Sequence, residues 1–378
     1  MPEIKITPLT PVHIGSGKEM MANFEYLHFP KEGKVALVDN QKVLKLIGED
    51  QVDQWVSIID KGENLLDYLK QRKSDIQAAD VALRSMKVRH EGIKGKNIKE
   101  FWHNGANKPI IPGSSLKGAL RTAVFSNLAK HRGAKLQNKI PEPRSKNYKN
   151  KKWKDKCLQK AFFGNKPNQD IFRLLRVMDA HFEYTHVTKI KTLNLEGYPD
   201  NPQWKFKDGI THFGETLPDQ VSAFSRIAFP RDLHKQAKGY LGSDPKHVFP
   251  EEVFKQANTI TQEILEIEKS EMEKYSSDQF PNLAKNYFEF INNTLSDLED
   301  IQDPAQTCII RMGYGSGYRS ITGDWLEDVF DYEQGDERAF QIFDFLRNKK
   351  YKGQPFPKSR TMTADGLPLG FVKLEMIE

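Results

Sequence analysis

The residues best suited to chemistry in this chain lie in the run Ile110-Ile-Pro-Gly-Ser-Ser-Leu-Lys-Gly-Ala-Leu-Arg-Thr122, and the chemistry they suit is the holding of an anion. Two β-branched residues end a strand, and Pro112 and Gly113 turn the chain. Ser114, followed by Ser115, stands where a helix N-cap belongs, ahead of the apolar series Leu116, Ala119, Leu120, Ala123, Val124 and Leu128. Lys117 and Arg121, four apart, share another face near the helix N-terminus, where unpaired N–H groups and the helix dipole favour a phosphate. A capped helix with two solvated bases would give the same pattern. Gly118 argues for binding, because Gly inside a helix costs about 1 kcal/mol relative to Ala and makes most sense where a backbone or ligand approaches. A P-loop is excluded, since Gly118 is followed by Ala119 and Leu120 rather than by Lys and Ser or Thr.

A second candidate is Arg311-Met-Gly-Tyr-Gly-Ser-Gly-Tyr-Arg319. The N–H groups around Gly313, Gly315, Ser316 and Gly317 could face phosphate oxygens. Arg311 and Arg319 would supply charge, and Tyr314 could stack on a base or ribose. Tight turns produce such loops as well. The dinucleotide fingerprint fails because Tyr318 stands where its last Gly belongs.

Acid–base and metal chemistry find weaker support. His13, His28 and His181 could serve metal-independent RNA cleavage, yet none stands in a recognisable catalytic spacing. Asp179 has no sequence partner, Glu299, Asp300 and Asp303 read as a solvated helix end, and no HExxH or zinc-finger spacing occurs, so neither metal nor cofactor is expected. Cys157 and Cys308 are too few and too far apart for a disulfide framework, which suits a reducing cytoplasm. A formal net charge of +6 describes a mildly basic chain, and no apolar run is long enough to span a bilayer. The expected compartment is the cytoplasm, with no membrane contact.

The elements that must position these groups follow from periodicity. Ile4 and Ile6 alternate with Lys5 and Thr7, predicting a strand, and 24–29 and 34–38 predict a strand pair. Asn40 is placed as the cap of a helix, and Val52 to Ile59, Leu65 to Leu69 and Ile76 to Leu83 continue a helical insertion over about 40–105. Between Lys130 and Lys156, eleven Lys or Arg stand against Glu142 and Asp155, which predicts a basic loop whose Tyr148 and Trp153 could stack on bases. Phe172 to Phe182, Thr185 to Leu195, Ser222 to Phe229 and Thr307 to Met312 read as strands. An antiparallel helical pair fills about 250–302, with stripes at Val253, Ala257, Ile260, Ile264 and Ile267 and at Leu283, Tyr287, Ile291 and Leu298. A last strand has Val372, Leu374 and Met376 on one face. The resulting expectation is an α+β chain of two modules, 1–185 and 186–378.

Pro11-Val-His-Ile-Gly-Ser-Gly17, Ile111-Pro-Gly-Ser-Ser-Leu-Lys-Gly-Ala-Leu-Arg-Thr122, Leu175-Arg-Val-Met-Asp-Ala180 and Met312-Gly-Tyr-Gly-Ser-Gly317, in that order, resemble the RAMP superfamily of CRISPR-Cas proteins. They look most like the subunits that cap the crRNA 3′ side of type III-A (Csm) effector complexes. The resemblance implies two ferredoxin-like, RRM-like modules with helical insertions that bind crRNA without catalysis. It also implies docking on a neighbouring backbone RAMP subunit and the small subunit, with target RNA joining the loaded complex. Guide 3′-end maturation would then fall to recruited cellular exonucleases. Lys117, Arg121, Gly313, Gly315 and Gly317 carry over to the family pattern. His13 and Gly15 match it too, His13 being read first as a structural imidazole, whereas Met178 replaces the family's usual serine before Asp179. Repeat-RNA endoribonucleases share the fold and the Gly-rich loop, which keeps that activity as the alternative. A purely protein-binding scaffold would show no RNA affinity.

Overall fold

The computed structural model describes residues 2–132, 156–198, 200–230, 232, 235, 245–275, 282–321 and 356–377. It is α+β. Strand β1 (Glu3–Pro8) buries Ile4 and Ile6 completely and turns Lys5 to the other side. It lies at the centre of an antiparallel five-stranded sheet, with β15 (Phe371–Ile377) and β13 (Thr307–Arg311) on one side and β12 (Ala223–Ala228) and β8 (Arg176–Val177) on the other. The buried face is covered by α5 (Gly113–Arg132) and α7 (Pro250–Lys274). Leu116, Leu120, Val124, Val253, Phe254 and Ala257 meet Ile4, Ile6, Ile310, Val372 and Leu374 there in one core.

The second sheet has the order β2 (Gly15–Met20), β6 (Ile98–Phe101), β11 (Gln203–Thr216), β10 (His186–Glu196), β5 (Ala82–Val88), β4 (Lys34–Val38), β3 (Tyr26–Phe29). Strand β14 (Ser359–Thr363) also pairs with β10, further along its length than β5. Helix α8 (Asn282–Glu299) lies on α7, and Tyr287, Ile291 and Leu298 join Leu265, Met272, Leu193, Trp204, Ile309 and Phe371 in a core shared by both sheets. The expected helical pair is therefore present, with Val253, Ala257 and Ile260 buried as their stripe predicts, but the stripe fails at Ile267, which is exposed while Leu265 and Glu268 turn inward. The side chain of Leu283 lies outside the described residues. Pro281, between the two, lies outside the described residues.

The stretch 40–105 departs from a wholly helical insertion. Helices α1 (Asn40–Ile47), α2 (Val52–Asp60) and α3 (Leu65–Arg72) cover β3 and β4 through Val43, Ile58, Leu65 and Leu69. Ile76 to Leu83 is instead a one-turn helix, α4 (Ala78–Val81), running straight into β5, and β6 follows. The cap of α1 is Asp39 rather than Asn40, its carboxylate accepting from the N–H groups of Gln41 and Lys42. The predicted strand 172–182 is also broken up. A 3-10 turn at Ile171–Leu174 precedes β8, and β9 (Ala180–His181) leaves that sheet to pair with β7 (Ile110–Ile111). Residues 133–155 of the basic loop, with Tyr148 and Trp153, lie outside the described residues. Lys130, at its start, pairs with Glu263 on α7 at 2.8 Å. Both main sheets draw strands from either side of position 185.

Candidate nucleic-acid interface

The start of α5 is built as a joint between two of the four motifs. The N–H groups of Ser115 and Leu116 donate to the Pro112 carbonyl, so the helix begins at Gly113 and Ser114 lies exposed in its first turn. Ser114 is therefore not the cap. The capping acceptor is Asp179, 66 residues further on, whose Oδ1 takes the Gly113 N–H at 2.7 Å. A Cβ on Gly113 would sit 2.2 Å from the Val177 carbonyl oxygen and 2.8 Å from the Met178 carbonyl carbon, so glycine is required by backbone passing backbone. On the far side, the Ser225 hydroxyl donates to the Met178 carbonyl at 2.6 Å. The break in the predicted strand 172–182 follows from this joint, because the chain bends round the helix start.

Arg121 and Lys117 share a flank of α5, and that flank faces inward. Arg121 grips Asp170 with two nitrogens, at 2.8 and 3.0 Å, while its guanidinium lies 4.2 Å from the Phe163 ring centre and 5.3 Å from that of Phe172. Its charge fastens the 3-10 turn and α6 (Lys156–Phe163) to α5 rather than facing a phosphate. Lys117 is half-buried, burial lowers its pKa against the raising influence of Asp170, and it forms no ion pair within 4 Å among the described residues. Arg121→Ala is expected to cost about 2 kcal/mol in urea unfolding, the size of a charged hydrogen-bonded pair, while changing RNA affinity less than about twofold. A large affinity loss with unchanged stability would restore Arg121 to the binding surface.

Arg311 and Arg319 are likewise corrected. Arg311 is buried, donating from Nε to the Leu369 carbonyl at 2.9 Å and from Nη2 to the Gly315 carbonyl at 3.2 Å, with Glu268 3.7 Å away. Arg319, also buried, holds Glu271 at 2.7 and 3.2 Å and the Phe356 carbonyl at 3.2 Å. Arg360 joins both acids, and Glu268 also accepts the Tyr287 hydroxyl at 2.9 Å. The two arginines brace the Gly-rich loop from beneath. Ser316, buried with its hydroxyl donating to the Gly313 carbonyl at 2.8 Å, also fastens the loop.

What does converge is the loop itself, the His13 turn and a different face of α5. Gly313, Gly315 and Gly317 all have φ near +80°, and the Tyr314 N–H donates to the His13 carbonyl at 2.9 Å. The N–H groups of the three glycines have no hydrogen-bond partner among the described residues. Between loop, turn and helix opens a cleft of about 290 Å³, lined on α5 by Ser115, Gly118 and Thr122 and across from it by His13, Gly15 and Tyr314. A Cβ on Gly118 would meet nothing within 4 Å, so this glycine leaves a bare floor. Helix α9 (Gly317–Ile321) closes one end through Ser320 and Ile321.

Sequence reasoning missed Lys99. It stands on β6, 5.8 Å from the Tyr314 ring centre, and pairs with Glu19 at 3.1 Å, which puts a positive charge beside the stacking surface. Ile98 and Phe101 are three apart, a spacing that fits a helix as well as a strand, and nothing local tied the segment to the loop 215 residues away. His13 is held on three sides. Its Nδ1 lies 2.6 Å from the Glu215 carbonyl oxygen, and the rings of Phe101 and Tyr314 meet it edge-on. Burial lowers its pKa, outweighing the raising influence of Glu215.

Glu215, behind this turn, is fully buried on β11. It accepts from the Phe101 N–H at 3.0 Å, the Thr185 hydroxyl at 2.6 Å and Arg84 Nη2 at 3.0 Å, with His103 Nε2 3.2 Å away. Burial alone would raise its pKa, but His103 close by, the charge of Arg84 and the bond from the Thr185 hydroxyl bring it down to about 2, from 4.5. A folded value below the unfolded one means the contribution is complete above about pH 4.5 and lost as pH falls towards 2. Glu215→Gln is expected to flatten that limb of the stability-versus-pH curve, a difference on the order of 3 kcal/mol read by urea unfolding at each pH. Parallel curves for wild type and variant would contradict it.

The family model of the RAMP superfamily matches residues 5–320. Two relatives carry the name CRISPR system Cms protein Csm5. The one from Methanocaldococcus jannaschii is 25% identical over 216 residues, 54% of this chain and 46% of that protein. The one from Enterococcus italicus is 26% identical over 147 residues, 32% of this chain and 42% of that protein. The chain thus spans a little under half the length of either relative. Among solved structures, a chain of the cryo-EM Csm–crRNA–target RNA ternary complex of a type III-A CRISPR-Cas system is similar with a TM-score of 0.70 at 19% identity, covering 99% of this chain and 100% of that one. The crystal structure of T. onnurineus Csm5 is similar with a TM-score of 0.65 at 18% identity, covering 97% and 99%. At these identities the likeness is one of fold.

Proposed function

Because the chain belongs to the RAMP superfamily, we propose that it is a non-catalytic crRNA-binding subunit of a type III-A CRISPR effector complex, seated at the 3′ side of the guide. The observation that carries this is the cleft. Three separate motifs line it, and they offer a sugar–phosphate strand the unpaired Gly313 N–H and a half-exposed Tyr314 for a base, with Lys99 supplying charge beside that ring. Neighbouring Csm subunits and target RNA are its partners in the same reading, supported by the likeness to a chain of the ternary complex. Trimming of the guide's 3′ end is left to cellular exonucleases.

The endoribonuclease alternative needs an acid and a base at one phosphodiester. His28 sits on β3 at the edge of the sheet farthest from β2 and His181 lies on β9 beside Asn104, so of the three histidines His13 alone reaches the cleft, with its Nδ1 committed to the Glu215 carbonyl and Tyr314 and Lys99 as its neighbours there. The decisive measurement is a salt titration of guide binding by the purified full chain. Gly118→Glu and Lys99→Glu are each expected to lower affinity about tenfold or more at low salt, and Lys99→Glu to reduce the slope of log K against log salt by about one. Gly118→Glu favours the helix, so its loss of binding would not reflect unfolding. Wild-type affinity in both variants, or no guide binding at all, would overturn the proposal.

A further inference from the structure

We infer that Nε2 of His13 accepts a hydrogen bond from a ribose 2′-hydroxyl of the bound strand, making this residue the point at which the cleft tells RNA from DNA. The inference rests on the RNA-binding reading above and adds the atom that selects the sugar. A carbonyl oxygen only accepts, so the 2.6 Å contact between His13 Nδ1 and the Glu215 carbonyl requires the proton to sit on Nδ1. Nε2 then carries a lone pair. Burial keeps the ring neutral, so Nε2 stays an acceptor at neutral pH. His13 is 2% exposed and lines the cleft, yet Nε2 has no hydrogen-bond partner among the described residues.

Gly15 is the second, independent observation. Its φ lies outside the left-handed region and its Cβ would meet one close neighbour, His13 Nε2 at 3.1 Å. The backbone therefore does not ask for glycine at this position. The absence of a side chain leaves one thing open, the imidazole acceptor.

The chemistry of the acceptor selects its partner. Phosphate oxygens only accept, so Nε2 repels them, and they suit the unpaired N–H groups of the Gly-rich loop. A base has its natural place on Tyr314, which is 38% exposed. Base amino and imino groups travel with the ring that stacks on Tyr314; the donor on the sugar itself is the 2′-hydroxyl, small enough to enter beside Gly15 and missing from DNA.

The test is a walk of single 2′-deoxy substitutions along a guide RNA, with affinity measured for the full-length wild type, Gly15→Ala and His13→Gln. In wild type, one position is expected to lose about five- to tenfold, the size of one hydrogen bond. In Gly15→Ala, where a methyl group covers Nε2, that sensitivity should disappear and the all-RNA guide should bind as the singly deoxy guide does. His13→Gln should behave likewise, and thermal melting of both variants checks the fold. Guide binding without any sensitive position in wild type would overturn the sugar contact and leave the RNA-binding proposal standing. So would sensitivity retained in Gly15→Ala, or one that follows base identity in a permuted guide. If wild type binds no guide RNA, the RNA-binding proposal fails and takes this one with it.

Discussion

Glu268→Ala is expected to lower the unfolding free energy by about 3–5 kcal/mol, the usual consequence of removing one partner from a buried ion pair. Glu268 is 4% exposed and faces Arg311, Arg360 and the Tyr287 hydroxyl. Removing its carboxylate leaves buried guanidinium groups with less compensation than their burial demands. The effect should reach the cleft, since Arg311 also holds the Gly315 carbonyl. Guide affinity should therefore fall together with stability. Burial pushes the Glu268 pKa up, but Arg360, Arg311 and Arg319 outweigh it and hold it below the usual value. Its contribution is present at neutral pH and is lost as pH falls through that depressed value. Glu268→Gln, which keeps an acceptor but not the charge, should fall between alanine and wild type. Urea unfolding at pH 7 reads all three, and a loss under about 1 kcal/mol for alanine would mean the arginines find other partners.

Gly113→Ala is expected to cost at least as much, about 3–5 kcal/mol, or to prevent the folded chain from accumulating. The added methyl would lie 2.2 Å from the Val177 carbonyl oxygen, a backbone atom with no rotamer to escape into. Relief requires parting α5 from β8 and β9, which stretches the bond from the Gly113 N–H to Asp179. Two companion variants separate the terms. Asp179→Ala removes the cap alone and should cost about 1 kcal/mol. Gly118→Ala, with nothing within 4 Å of the new methyl, should stabilise by up to about 1 kcal/mol. Equal melting temperatures for Gly113→Ala and Gly118→Ala would show that the joint is looser than its geometry.

What could be read in the chain beforehand divides along sequence distance. The periodicity of Leu116, Leu120, Val124 and Leu128, or of Tyr287 and Ile291, is a local property, and both helices stand where it puts them. The glycine motifs were legible because positive φ and close backbone approach exclude other residues, and Gly113 and Gly313 meet such constraints. The roles of the arginines were not legible. Arg121 is neutralised by Asp170, 49 residues away, and Arg319 by Glu271, 48 residues away, so only the tertiary fold reveals that these charges are already engaged. Lys99 shows the converse, a residue in a stretch read as helix that the sheet carries to the cleft. Ser114 was displaced as a cap by a carboxylate from another motif, a competition that no window of sequence contains.

The central place of β1 sets a timetable for biosynthesis. Glu3 pairs with Arg226 on one side and with Ile377 on the other. At roughly 5–20 residues per second, a ribosome needs about 20 to 75 s to deliver the partner strand after β1 has emerged. During that interval Ile4 and Ile6 have at most half of their final sheet beside them, and the groove that β15 will fill is an open strand edge. The loop to be closed is almost the whole chain, which makes this the slowest kind of contact to form. Nascent copies stalled before residue 371 should therefore be protease-sensitive around β1 and prone to capture by chaperones, whereas the hairpin of β10 and β11 can form as soon as it is made.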